Sequence, residues 1–467
     1  VTADRVLIVE APGLFTTVQD LGRPGMARFG VTPGGALDRR ALILGNRLLG
    51  NEPDAAALEC TLGGPTLRVT TETIFTITGA DLGARLDDRP IARWQPVRAV
   101  ANSVLSFTPT TSPGARAYIC VTGGIDVPVV LGSRATDATG GFGGLNGRAL
   151  QAGDRLPIGE PTLPVDQMLT RRLAIPEPVY ESSVTARVVL GPQQDRFTDR
   201  GLATFLGEPY RVSSKADRTG IRLEGARIEH TGDADLVSEG IAHGAIQIPG
   251  DGQPIVLMAA RGTVGGYTKI ASVIGADLDA LGQVRPGNTV RFTAVSVDKA
   301  RIATRAYLEQ LGPDAIQDIE GAEQMSDVWN PEGVIRVIAE AERTGVSYLR
   351  LEVASAGLTL EISRGGSGSL TPAPSRLPEA PLAAASDEVE VVAPVLGTFY
   401  RRRTPEEPPL AEVGDSVEAG ALLGLIEVMK TYHEVTAPQA GTITSIFAED
   451  GHYVEYGQPL VRLSPAD

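Results

Sequence analysis

The sequence predicts a mostly β protein: a large barrel-like or sandwich region followed by a small β domain that repeats itself. Two observations carry this prediction. Residues 1 to about 300 are rich in glycine and divided into short β-branched runs, among them 74–78, 118–122, 184–190 and 290–297, the pattern of an all-β fold. Near the C-terminal end, Ala393-Pro394-Val395-Leu396-Gly397-Thr398 recurs as Ala437-Pro438-Gln439-Ala440-Gly441-Thr442. Two similar β units, each too small to bury its own face, predict a flattened barrel with pseudo-twofold symmetry.

In chain order, the first helix is marked by Leu37, Ala41, Leu44 and Leu48 at helical spacing, with Gly50 to end it. A second helix over 298–310 closes the large domain, 1–312. A separate unit, 324–365, opens with a helix capped by Asn330, with Pro331 in its first turn and Gly345 as its stop. Two strands follow, marked by Leu349, Leu351 and Val353 and by Leu358, Leu360 and Ile362, with a turn around Gly357. Residues 366–387, drawn largely from Pro, Ala, Gly and Ser, read as a linker. The repeated domain occupies 388–467.

Bulk properties narrow the function. The chain has 467 residues, 42% of them hydrophobic, enough for several cores. It contains no run of eighteen apolar residues and no basic-then-apolar start, so no membrane segment and a cytoplasmic location are expected. A net charge of −15 disfavours nucleic acid as a partner. Cys60 and Cys120 are too few for a disulfide framework and lack metal-ligand spacing, so buried thiols and no metal are expected. The basic residues are nearly all arginine, and the four lysines are Lys215, Lys269, Lys299 and Lys430. Chemistry that needs an amine has few places to occur.

The first repeat pair is offset by 44 residues, whereas Val417, Gly420 and Leu423 match Val454, Gly457 and Leu460 at an offset of 37. The first copy therefore holds seven extra residues, expected to protrude within 400–410. Glu427-Val428-Met429-Lys430 lies between the halves, flanked by apolar strand residues, which puts the lysine at an exposed tip. This segment is similar to the biotinyl domains of biotin carboxyl carrier proteins, in which the lysine after methionine accepts biotin. Gly397-Thr398-Phe399-Tyr400 and the insertion resemble the carrier of bacterial acetyl-CoA carboxylase, as do the helix and hairpin of 330–364. The resemblance implies covalent biotin on Lys430, with Met429 beside it, attached by a biotin protein ligase. Val428 stands where a small residue is usual, and Thr431-Tyr432-His433 replaces a more apolar stretch. A lipoyl group is the rival, but lipoyl domains usually present Asp-Lys at this turn.

The large domain resembles the allophanate hydrolase subunit 2 family, which includes an antagonist of a sporulation kinase inhibitor and one half of the urea carboxylase carboxyltransferase. The resemblance rests on Thr17-Val18-Gln19-Asp20-Leu21-Gly22-Arg23-Pro24-Gly25, Gly34-Gly35-Ala36-Leu37-Asp38, Gly244-Ala245-Ile246-Gln247-Ile248-Pro249, Gly252-Gln253-Pro254-Ile255 and Gly265-Gly266-Tyr267-Thr268-Lys269-Ile270. It implies a cyclophilin-like β-barrel and a subunit 1-like partner. One departure is the segment Ala259-Ala260-Arg261-Gly262-Thr263, where the family usually carries an aspartate and a glutamine.

Carboxyl transfer from biotin leaves negative charge on the ureido oxygen, which calls for fixed donors in a dry pocket. Arg23, Arg134, Gln19, Gln247 and Tyr267 are donors of the right type, and Lys269 is a cation or base. Each also has a structural alternative: Asp20 with Arg23 as an ion pair, and Gly123-Gly124 or Gly265-Gly266 as tight turns. The expected function is that of a carboxyltransferase half plus carrier, acting on a urea-like or amide nitrogen of a small-molecule substrate. No ATP-using region is recognisable, so a biotin carboxylase subunit is an expected partner. The alternatives are a subunit of an allophanate hydrolase or 5-oxoprolinase complex, and a regulator that binds a kinase inhibitor. A serine amidase is disfavoured, because the glycine-serine string 365–369 lies in the linker without a lysine.

Overall fold

The computed structural model describes residues 5–319, 348–353, 358–363, 389–394, 397–403, 407–428, 431–454 and 458–465. In the first β body, a six-stranded sheet runs in the order Arg155–Pro157, Val6–Ala11, Thr66–Val69, Val104–Phe107, Ala84–Leu86, Arg89–Pro90. A five-stranded sheet runs Phe15–Gln19, Ala57–Thr61, Arg116–Val121, Thr73–Gly79, Pro96–Ala99. The strand Arg116–Val121 is buried along its whole length, and its alternation divides it between two cores. Ala117, Ile119 and Val121 join Leu7, Val9, Leu58 and Ile77 in one core. Tyr118 and Cys120 face the helix Arg39–Leu48 in the other, against Ala41, Leu42 and Leu44. Burying a side chain the size of Leu42 contributes roughly 1.5–3 kcal/mol, so this helix is held by its sheet face. Asp38 caps it by accepting from the Ala41 amide at 2.9 Å. Both cysteines are free and buried, and burial pushes their thiols upward, Cys120 to about 12.

The second body is a closed barrel. Its strands run Ser183–Leu190, Thr289–Ala294, Tyr210–Val212, Gly220–Gly225, Ile255–Leu257, Ala245–Ile248, Val264–Val273, and the last returns to the first through Val188↔Val273. Closure leaves no unpaired edge within the ring, and Asp235–Gly240 adds outside it against Val264–Val273. Phe205 and Phe292 stack at 4.7 Å in the core. The run 290–297 reads as strand throughout; in the structure the strand ends at Ala294, and Ser296 caps the helix Val297–Gln310 by accepting from Lys299. A serine hydroxyl before a helical run is a stronger local signal than β-branching at Val297.

Polar groups join the two bodies. Glu59, in the first, pairs with Arg218 of the second and accepts from the Leu37 amide at 2.9 Å and the Tyr118 hydroxyl at 2.7 Å. Burial pushes this carboxyl upward, but the Arg218 and Arg116 guanidinium groups outweigh it and hold it below its ordinary value. Gln283 bonds Asp38 and the backbone of Arg116, and Asp279 caps the Arg39 and Arg40 amides.

In the C-terminal domain, one four-stranded sheet runs Val389–Val392, Pro459–Pro465, Gly441–Ile446, Ser416–Val417; the other runs Thr431–Thr436, Leu422–Val428, Gly397–Tyr400, His452–Val454. The repeat is visible in the register. Gly397 of the first copy pairs with Val454 of the second, and Gly441 of the second pairs with Val417 of the first. Each half completes the other's sheet, so neither has its core alone. Within the insertion, the Leu410 amide donates to the Arg401 carbonyl at 2.7 Å and the Arg401 amide to Asp450 at 2.7 Å.

Residues 319–387 form a unit of their own. Its strands Tyr348–Val353 and Leu358–Ser363 pair antiparallel, with Leu349↔Ile362, Leu351↔Leu360 and Val353↔Leu358 opposite one another. The helix expected from Asn330, the turn at Gly357 and the linker lie outside the described residues.

Candidate functional site

Gln247 and Tyr267 come together. Gln247 lies on Ala245–Ile248, opposite Lys269 of Val264–Val273, and alternation puts Tyr267 and Gly265 on that same face. Gln247 and Tyr267 line a cleft of about 630 Å³ with Lys215, Asp217, Arg222, Glu224 and Gln253, a size suited to a small substrate. The Gln247 Nε2 is buried and has no hydrogen-bond partner among the described residues. A side-chain carbon at Gly265 would stand 2.7 Å from that nitrogen. Glycine there leaves the amide room, and any larger residue displaces it.

Lys269 is largely buried, and its Nζ lies 2.6 Å from Glu239 Oε1, which also accepts from Gln193 at 2.6 Å. It lies across the strand pair from Gln247 as a paired cation and is not among the residues lining the cleft. A proton-accepting role would require it to give up the proton that binds Glu239.

The remaining expected residues lie elsewhere. Arg23 is buried in the first body, donating from Nε to the Val130 carbonyl at 3.0 Å and from Nη2 to that of Ala135 at 2.5 Å, with Phe142 against its guanidinium. Arg134 donates to Asp126 at 2.8 Å and to the Val127 carbonyl. Gln19 is inside the core, bonded to Thr17 and the Thr136 carbonyl. Asp20 does not hydrogen-bond Arg23; it accepts from the Gly22 and Arg134 amides and from the Ser133 hydroxyl. Lys215, Asp217 and Arg222 escape sequence reasoning, because they lie in a stretch without a motif and reach the cleft only through the barrel's closure.

In the C-terminal domain, Leu422–Val428 and Thr431–Thr436 pair up to Val428↔Thr431. Only Met429 and Lys430 separate the strand ends, and both lie outside the described residues. A lysine between paired strand ends offers the amine that an amide-linked cofactor requires. Beside it, Tyr432 is exposed and meets Tyr400 edge-on at 6.2 Å. No group of metal-ligating side chains occurs among the described residues, and no helix among them is long and apolar enough to cross a membrane.

A two-sheet body and a closed barrel with a donor-lined cleft, joined to a two-sheet carrier domain, define a component of a biotin-dependent enzyme of the carboxyltransferase type. Similarity to known proteins places it: the family described as "Carboxyltransferase domain, subdomain A and B" matches residues 29–294, and the chain belongs to it. The family described as "Biotin-requiring enzyme" matches 389–463. Over 304 residues the chain is 40% identical to a 5-oxoprolinase subunit of Escherichia coli K12, covering 64% of this chain and 95% of that protein. Over 76 residues it is 42% identical to the biotin carboxyl carrier protein of acetyl-CoA carboxylase of Nostoc, covering 16% of this chain and 42% of that protein. The crystal structure of the K. lactis urea amidolyase superposes with a TM-score of 0.60 at 32% identity, covering 67% of this chain and 21% of that one. Covalently attached biotin is the cofactor.

Proposed function

We propose that the chain is the carboxyltransferase half and the biotin carrier of a biotin-dependent carboxylase, acting on a urea-like or amide nitrogen of a small substrate. The observation that carries this reading is the union in one chain of a cleft with a Gln247 Nε2 that has no partner among the described residues and a carrier domain whose central lysine is Lys430. Attached to Lys430, biotin supplies the carboxyl group for transfer. The protein's own residues do the rest. The Gln247 Nε2 and the Tyr267 hydroxyl are the donors that would hold the ureido oxygen of the bound group and stabilise negative charge there. Lys269, paired with Glu239, anchors the strand position opposite Gln247 and so helps to place that amide. The relatives named for 5-oxoprolinase and urea amidolyase support substrates with an amide or urea nitrogen. A subunit 1-like protein would complete the pocket, and a biotin carboxylase subunit would load the carrier.

The test is reconstitution of the biotinylated chain with those two subunits, followed by bicarbonate- and ATP-dependent turnover across urea, guanidine-type and lactam substrates. Turnover that needs all three chains is expected. Full-rate carboxyl transfer by this chain without a subunit 1-like protein would overturn the shared-pocket reading.

A further inference from the structure

A second cleft, of about 440 Å³, lies where the two bodies meet and is lined by Asp20, Arg23, Arg39, Asp54, His243 and Arg261 among others. Its walls cross the junction: the Gly34 amide of the first body donates to the Ala259 carbonyl of the second at 3.1 Å. Three features mark it as built for a ligand. Arg23 is 1% exposed, yet its Nη1 has no partner among the described residues. That nitrogen faces the cleft wall, since a side-chain carbon at Gly34 would stand 3.4 Å from it. Arg261 is 8% exposed and bonds only backbone carbonyls, those of Ile241 at 3.2 Å and Met258 at 3.3 Å, with no carboxylate partner among the described residues. His243 has a buried Nε2 with no partner among the described residues. A buried guanidinium without an anion is costly, and Arg261 is one: no carboxylate acts on it, whereas Asp20 and Asp137 both act on Arg23.

Charge balance specifies the ligand. Among the lining residues Asp20 offsets Arg23, and the exposed Arg39 and Asp54 offset each other, so the positive charge left unbalanced is that of Arg261 while His243 is neutral. A monoanion neutralises the cleft, whereas a phosphate dianion would overcharge it. A planar carboxylate also matches the fork of a guanidinium. We propose that this cleft binds a small carboxylate-type monoanion through Arg23, Arg261, Arg39 and His243. Its identity as part of the substrate rests on the carboxyltransferase reading, but its binding does not. The shared chemistry has two sources, a carboxylate carried by the acceptor or the one-carbon carboxylate being transferred, for which bicarbonate stands in as the probe.

His243 provides the reporter. Burial, with Arg261 and Arg39 adding to it, holds the imidazole down to about 4, and Asp20, Asp54 and Arg23 are the other charged groups lining the cleft. The sequence has four histidines, so the full chain labelled at histidine gives a resolvable spectrum. Acetate, bicarbonate and phosphate are titrated separately at constant ionic strength set with sodium chloride. A saturable shift of the His243 signal with acetate or bicarbonate, with His452 unmoved, is expected. Arg261→Gln should weaken that binding at least about tenfold, as one charge-assisted hydrogen bond lost. Should Arg261→Gln fail to fold, substitution of the exposed Arg39, as Arg39→Gln, should weaken it severalfold. Response to both acetate and bicarbonate assigns a carboxylate-bearing acceptor; response to bicarbonate alone assigns the one-carbon unit. No saturable shift, a response to phosphate alone, or undiminished binding in both variants overturns the proposal. Biotinylation and reconstituted turnover are read separately, so failure here leaves the carboxyltransferase reading intact.

Discussion

Replacing Glu59 by glutamine tests what holds the first β body and the barrel together. In the wild type, one carboxylate oxygen pairs with Arg218, and the other accepts from the Leu37 amide and the Tyr118 hydroxyl. An amide has only one acceptor. If its oxygen faces Arg218, its NH₂ confronts the Leu37 and Tyr118 donors; if it turns, the NH₂ confronts Arg218. Either way a guanidinium loses its counter-charge, and Arg116 nearby loses a share of it. Breaking a buried pair from one side costs about 3–5 kcal/mol, a large part of the roughly 5–15 kcal/mol that stabilises a typical protein. Trp94, buried against the neighbouring helix, reports the transition in a Trp329→Phe background. With a slope of about 2–3 kcal/mol/M, the urea midpoint at pH 7 should fall by roughly 1–2 M. The sign with pH follows from the lowered carboxyl. Its stabilisation is present above the unfolded value of about 4.3 and is lost as pH falls through the lower folded value, so wild type and variant should converge below about pH 4. A variant within about 1 kcal/mol of wild type at pH 7, or a difference unchanged at pH 3, would refute the account.

Gln247→Ala should lower carboxyl transfer in the reconstituted system by roughly 10- to 1000-fold, and Gly265→Ala should act in the same direction by displacing the Gln247 amide, neither changing avidin binding. Lys430→Arg should remove the single biotin, read by intact mass and avidin blot; a surviving signal would move the attachment elsewhere. His243 is held neutral to about 4, below its unfolded value of about 6.5, so its contribution to stability is full above pH 6.5 and lost as pH falls towards 4. His243→Asn should flatten that part of the stability profile, measured as urea midpoints at pH 7 and 4.5.

Local order in this protein is legible in the chain. Apolar alternation marks the paired strands Tyr348–Val353 and Leu358–Ser363, helical spacing marks Arg39–Leu48, and the repeat announces a carrier whose two halves interlock through Gly397↔Val454 and Gly441↔Val417. These signals are short-range, written in the periods of 2 and 3.6 residues and in self-similarity. The strand-to-helix change at Ser296 is also written locally, in a hydroxyl that β-branching at Val297 obscures.

Which polar residues share a site is settled by the folded chain alone. Arg23, Gln19 and Gln247 all lie in family motifs, yet Gln19 is packed inside the first body, Arg23 faces the junction, and Gln247 lines a cleft on the barrel. Arg218 and Glu59 are 159 positions apart and touch, and Arg261 reaches the cleft of Arg23 because the barrel closes through Val188↔Val273 and docks at Gly34. No period in the sequence records such pairings. They depend on long-range closure and on the cost of burying charge, which is fixed only when every group that could balance that charge has taken its place.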